Sequence, residues 1–356
     1  MKTKQKLCLL LSAFILINIT ACGYSYQEET NSFGNYIIDL EAIDEFYLTI
    51  EDKPVYGVLI VKDGNIVSQY YKDDYDENIV FSMNSCAKSF TSALVGIAIE
   101  QGIISNADTY ISEFFPQLIN SGDERREQIM IRHLLDMTSG YYWKDEMFTW
   151  EGNFSLAIEA DDMIEFLLNR EMEHDPGKVF NYDSGGHQLL SAIIQERSSD
   201  TLAAFAQKNL FEPMGADSVQ WGLHYGDWQG ITTGGFDIHM TLEDAAKFGQ
   251  LYLNKGKCDE KQIIPKEWVT ESTKTHSRGT PYFGEYGFSW WINKIYSDCD
   301  NDVYYEMYYA MGAGGQMIFI IPELNSVVVF ACGFPLLQTK APLRYLPLIV
   351  SAFEQQ

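Results

Sequence analysis

Apolar positions change their period along this chain. Residues 55–61 and 66–71 are short β-branched and aromatic runs on either side of Asp63-Gly64, a combination that predicts a hairpin. Residues 38–50 repeat at helical spacing. From 85 to 101 the pattern is apolar almost all round (Ala87, Phe90, Ala93, Leu94, Val95, Ile97, Ala98, Ile99), and Gly102 supplies a stop. A helix without a polar face belongs inside a protein. From about 103 to 275 helical spacing dominates, at 131–137, 160–168, 187–196, 202–208 and 242–253. Strand patterns return at 286–295, 303–309, 316–321 and 326–331, and a last helix is predicted over 343–353. Strands at both ends enclosing a helical middle predict an α/β (α+β) fold, with an antiparallel sheet assembled from both termini, flanking helices and a large all-α insertion. The expected division is a sheet domain from 35–102 and 280–356, and a helical domain over 103–279.

The first residues read as an address. Lys2, Lys4 and Lys6 precede an apolar run from Leu7 to Ile17, too short to span a membrane, and small residues follow. The bland reading is an ordinary secretory signal that ends near a cysteine. Ile19-Thr20-Ala21-Cys22 resembles a bacterial lipobox, in which the cysteine becomes the lipidated first residue. That resemblance implies a lipoprotein signal over 1–21, a flexible tether over 22–34, and an extracytoplasmic protein that touches the membrane only through a lipid on Cys22.

Composition narrows the partners. The 356 residues are 46% hydrophobic and 14% aromatic, enough for a large core and unlike disordered or low-complexity chains. Against 25 Lys+Arg stand 50 Asp+Glu, a net charge of −25, which repels nucleic acid. Cys86, Cys258, Cys299 and Cys332 show no CxxC and no zinc-like spacing. A Cys258–Cys299 bridge suits an exported protein. The six histidines are scattered without H-E-x-x-H, so neither a metal nor another cofactor is expected.

Ser85-Cys86-Ala87-Lys88 opens the apolar helix. SxxK occurs about once by chance in a chain this long, so its placement counts for more than the motif. Positions i and i+3 share a helix face, and a helix start presents free N–H groups. A lysine here either reaches the surface from the helix end or is buried, and a buried amine with a lowered pKa can take a serine proton. Cys86 lies about 100° round the helix from Ser85 and reads as small packing.

Phe81 to Phe90 resembles the SxxK segment of the serine β-lactamase and penicillin-binding-protein superfamily, in its class C-like branch of esterases, D-amino-acid peptidases and 6-aminohexanoate-oligomer hydrolases. Three further segments fit in order. Ile131-Arg132-His133-Leu134-Leu135 with Thr138-Ser139-Gly140 is similar to the branch's helix and TSG turn. Asp175-Pro176-Gly177 to Phe180-Asn181-Tyr182-Asp183-Ser184 is similar to its PG…F-x-Y-x-N element. Tyr309 to Gln316 lies where the branch carries K-T-G or H-x-G. The resemblance covers about 56–334 and implies an acyl-enzyme on Ser85, with Lys88 and Tyr182 as base and acid. Gly312, Ala313 and Ser184 then contact substrate, the Ser85 and Ala313 N–H groups holding the oxyanion. Substrate would be a small ester, amide or peptide; the other reading is a receptor that is acylated without turnover.

Two departures shape the expectation. Ala310-Met311-Gly312 carries neither Lys nor His, and Ser184 stands in place of the usual Asn. A hydroxyl offers one donor where an amide offers two. Together they favour an esterase or small-amide hydrolase, with weak or no β-lactamase activity, and move the base role toward Lys88. Rival readings are poorer. Asp183-Ser184-Gly185-Gly186 resembles the trypsin-like nucleophile segment but sits before a helical pattern, and G-x-S-x-G is missing. His133 reads as structural. Trp143, Trp150, Trp290 and Trp291 read as core, with a pocket as the alternative.

Overall fold

Two faces of one sheet organise the molecule. The computed structural model describes residues 15–20, 23–28, 38–144, 153–222, 227–297 and 303–353. Ten strands run in the order Ser277–Thr280, Gly284–Tyr286, Trp291–Tyr296, Tyr304–Gly312, Gln316–Ile321, Ser326–Cys332, Val55–Lys62, Asn65–Tyr71, Ile15–Thr20 and Gly23–Glu28. Each pair of neighbours is antiparallel. The two ends of the chain meet at the centre, where Val329 pairs with Leu59.

The central strands are apolar without a break because both faces are covered, and the period of two still sorts their side chains. Val58, Ile60, Phe319, Val328 and Phe330 enter one core with the helices Leu40–Ile50 and Pro342–Ser351. Leu59, Val61, Ile318, Val327 and Val329 enter the other, with Ala87–Glu100, Ser184–Ser198 and Leu242–Leu253. Helices therefore pack on both sides of a large antiparallel sheet.

Some boundaries differ from expectation. The strand expected over 286–295 is two strands. Gly287 N–H bonds the Trp290 carbonyl, Ser289 has φ +66°, and Tyr286 pairs with Trp291 across the turn. Tertiary partners satisfy the turn: Phe288 N–H meets the Ser272 carbonyl and Ser289 N–H that of Leu135. The helix expected from 187 begins at Ser184, because Asp183 caps it through Gly186 N–H. The helix expected over 160–168 starts at Met163 behind an Asp162 cap, and Asn153–Glu159 forms a separate helix ahead of it.

The segment expected as a tether holds the strand Gly23–Glu28, which pairs with Ile15–Thr20 at the Asn65–Tyr71 edge. Cys22 and Trp150 lie outside the described residues. Among the described residues no helix is long and apolar enough to cross a membrane. Cys258 is disulfide-bonded, whereas Cys86 and Cys332 are free and buried; Cys299 lies outside the described residues.

Candidate active site

The apolar α-helix begins at Ala87, two residues later than its pattern. Asn84–Cys86 make a 3-10 turn that runs into Ala87–Glu100, with Asn84 at φ +49°, a left-handed value asparagine tolerates. The turn is pinned on both sides: Asn84 Nδ2 donates to the Ala313 carbonyl at 2.8 Å, and Ser82 Oγ donates to Asn84 Oδ1 at 3.1 Å. One turn onward, Lys88 is 1% exposed. Its Nζ donates to Ser85 Oγ at 3.0 Å and to the Gly235 carbonyl at 2.9 Å. At that separation the pair can pass a proton in either direction, the ammonium donating and a neutral amine accepting.

Tyr182 arrives from the other side. Lys88 Nζ lies 4.9 Å from the centre of its ring, and the ring stacks on Trp291, 6.1 Å between centroids and 17° between planes. The loop carrying it is laced to the Thr138-Ser139-Gly140 turn. Gly177 N–H bonds the Thr138 carbonyl and Asn181 N–H bonds the Met137 carbonyl, both at 2.8 Å. Two segments about 40 residues apart in sequence thus form one rigid edge. Ser184, next along, is buried at the start of its helix.

The third edge is a strand end. Gly312 pairs with Gln316 at the close of its hairpin, and a side chain on Gly312 would come within 2.2 Å of the Met83 carbonyl. Only glycine lets this strand end approach the nucleophile turn so closely. Ala313 follows it, and neither its N–H nor that of Ser85 meets an acceptor among the described residues. Ala310 is buried in the sheet. Ser85 and Lys88 are thus hydrogen-bonded, the Tyr182 ring lies beside Lys88 Nζ, and the Gly312–Ala313 strand end lies against the Met83–Asn84 turn that leads into Ser85. Among the described residues no cluster suits a metal ion.

Bland roles also became visible. Burial pushes the Cys86 thiol up, and its Sγ faces the Gln316 carbonyl, so it offers no thiolate to rival Ser85. His133 Nδ1 accepts Met130 N–H at the start of its helix, and burial lowers its pKa to about 4. His187, behind Lys88, is held well below its usual range by burial and then by the Lys88 charge; its Nε2 is 2.7 Å from Ser289 Oγ. Trp290 is core, packed on Tyr252 and Phe248.

Sequence reasoning missed four participants. The Gly235 carbonyl and the Asn84 amide carry no local signal, because each acts across more than 140 residues of chain. Asp183 and Arg170 form a buried ion pair at 2.9 Å behind the site. Arg170 Nε also donates to the Leu167 carbonyl, and the guanidinium lies over the Tyr141 and Trp143 rings at 4.4 and 4.8 Å. Asp183 could have been suspected as a helix cap from its place before Ser184-Gly185-Gly186.

Comparisons with known proteins agree with this fold. A β-lactamase of Yersinia enterocolitica is 22% identical over 277 residues, covering 70% of this chain and 65% of that protein, just under two thirds of its length. A solved putative 6-aminohexanoate-dimer hydrolase from Bacillus anthracis superposes with a TM-score of 0.71 at 20% identity, covering 95% of this chain and 90% of that one. EstCE1, described as a hydrolase with promiscuous acyltransferase activity, gives 0.68 at 16% identity, covering 88% and 97%. The β-lactamase family model matches residues 49–335, and that span holds every edge of the site. The chain belongs to the β-lactamase family.

Proposed function

We propose that this protein is a serine hydrolase that cleaves an ester or small amide through an acyl-enzyme on Ser85. The observation that carries the reading is Lys88, buried and 3.0 Å from the Ser85 hydroxyl, with the Tyr182 ring beside its Nζ. In acylation the Ser85 oxygen bonds the substrate carbonyl carbon while its proton passes to the Lys88–Tyr182 pair. The Ser85 and Ala313 N–H groups receive the negative oxygen. As the intermediate collapses, the bond to the leaving alcohol or amine breaks and the pair returns the proton to it. Water then attacks the acyl-enzyme, giving its proton to the same pair and releasing the acid and Ser85. Either base would need a pKa about three units below the free value near 10, roughly 4 kcal/mol of bias from the surroundings. With Ala310 buried and no Lys or His before Gly312, a substrate carboxylate finds no cation there, so β-lactams should be poor substrates.

Location belongs to the same proposal. The charged and apolar leader ending at Cys22 supports a lipid anchor on the outer face of a bacterial membrane, and a disulfide on Cys258 suits an oxidising compartment. The test is turnover of p-nitrophenyl esters and of nitrocefin, with Ser85→Ala as control. Sustained ester hydrolysis, lost by at least 1,000-fold in the variant (roughly 4 kcal/mol of transition-state stabilisation), is expected. A single stoichiometric burst would mark an acylated receptor instead, and no labelling of Ser85 by a fluorophosphonate would defeat both.

A further inference from the structure

His187 is fully buried, and the proton path proposed above does not use it. It stands near the start of the Ser184–Ser198 helix, the element that follows Tyr182. Its backbone packs on the segment that holds the lysine. A side chain on Gly234 would come within 2.1 Å of the His187 carbonyl, and one on Gly235, whose carbonyl accepts from Lys88, would lie 3.4 Å from His187 Cβ. Burial, and then the Lys88 charge, keep the imidazole neutral. Its Nε2 lies 2.7 Å from Ser289 Oγ, and a neutral ring suits that bond as donor or as acceptor.

Ser289 gathers the supports of the site. It is 3% exposed, and its φ of +66° is a left-handed value uncommon outside glycine. Its N–H bonds the Leu135 carbonyl at 2.9 Å, at the end of the Ile131–Leu135 helix that leads into the Thr138-Ser139-Gly140 turn. Its carbonyl accepts from the hydroxyl of Ser89, the residue after Lys88, at 2.6 Å. Its own hydroxyl meets His187, and Trp291, two residues on, stacks against the Tyr182 ring. The lysine helix, the helix after Tyr182 and the turn that laces the tyrosine loop are thus tied to one buried residue. Proton transfer needs such ties, because a misplacement of about 1 Å can cost on the order of 100-fold in rate.

We infer that His187 and Ser289 are positioning residues: their hydrogen bond holds Lys88 in place against the Tyr182 ring and so governs proton transfer at Ser85, without either residue touching substrate. The inference rests on the proposed hydrolase reading and deepens it. The test uses the full chain, with steady-state hydrolysis of p-nitrophenyl acetate, the rate of Ser85 labelling by a fluorophosphonate, and thermal melting. Ser289→Gly removes the hydroxyl yet suits the left-handed backbone, so Tm should stay within about 3 °C. In that variant kcat and kcat/KM should fall together by at least about 10-fold, and the labelling rate with them. His187→Met should slow the reaction likewise. His187→Gln, whose amide nitrogen can take the place of Nε2, should return kcat to within about 3-fold of the unaltered protein.

A pair that only packs the core would lower Tm and leave the folded protein as fast as before. Unchanged kcat in Ser289→Gly and His187→Met therefore overturns the inference alone, and so does a His187→Gln as slow as His187→Met. Ser289→Gly decides the matter by itself if His187→Met does not fold. Absence of both cleavage and Ser85 labelling in the unaltered protein overturns the hydrolase reading and the inference with it.

Discussion

Two cations lie buried on either side of one short stretch of backbone. Tyr182 presents its ring to Lys88, and Asp183, the next residue, presents its carboxylate to Arg170. Asp183 is extended (φ −128°, ψ 101°), and successive side chains of extended backbone point to opposite sides. One peptide step therefore separates two environments. Arg170 meets a carboxylate, a carbonyl and two aromatic faces. Lys88 meets a hydroxyl, a carbonyl and a phenol ring. The chemistry of the two groups matches: a guanidinium keeps its proton in any protein, whereas a buried amine can lose one. Burial of a cation alone says little about function; what it touches, and whether it can give up its proton, says more.

The comparison breaks most visibly at Lys88. Lys88→Arg keeps the charge but cannot give up its proton to become a base, so ester hydrolysis should fall by at least 1,000-fold while the fold survives, as read by steady-state kinetics beside circular dichroism. Comparable activity in Lys88→Arg would remove the amine from the proposed proton path. At Arg170 the effect should appear as stability. Arg170→Met leaves the Asp183 carboxylate buried and unpaired, an expected loss of about 3–5 kcal/mol in urea unfolding. Below its melting temperature that variant should keep kcat within about 10-fold, because it alters a support and not the proposed proton path. A kcat that falls as far as in Lys88→Arg would show that the two environments are not separate.

The smallest effect is with pH. The unfolded chain protonates His133 and His187 near 6.5, while the folded protein resists, so their contribution to stability is present above that pH and lost as pH falls. Asp136 works the other way. Burial raises its pKa to about 6, so its contribution is present in acid and lost as pH rises from about 4 through about 6. The urea midpoint should therefore be modestly lower at pH 5 than at pH 7.5, and Asp136→Asn should steepen that drop. A midpoint that rises on acidification would mean that the histidines are not the buried neutral groups described.

Much of the fold was legible because hydrophobic period is a local property. The Leu242–Leu253 helix and the Gln316–Ile321 strand fall at the expected residues, and Asp63-Gly64 does turn the hairpin. The strand expected over 286–295 misled because its turn at Ser289 is held by Leu135 and Ser272, partners no window of sequence contains. In the site, Ser85 and Lys88 could be paired on paper, since three residues of helix place them together whatever surrounds them. Tyr182, Ser184 and Ala313 were placed by resemblance to a family, not by spacing.

What the sequence determined by itself is what lies within one turn or one strand: periodicity, the Asp63-Gly64 turn and the serine–lysine step. Tertiary structure alone decided that Asn84 holds the Ala313 carbonyl, that Gly235 anchors the lysine, and that Arg170 is matched by Asp183. Those contacts join chain positions from 13 to 229 residues apart. Their free energy depends on distance and burial in three dimensions, and the local pattern carries no record of either.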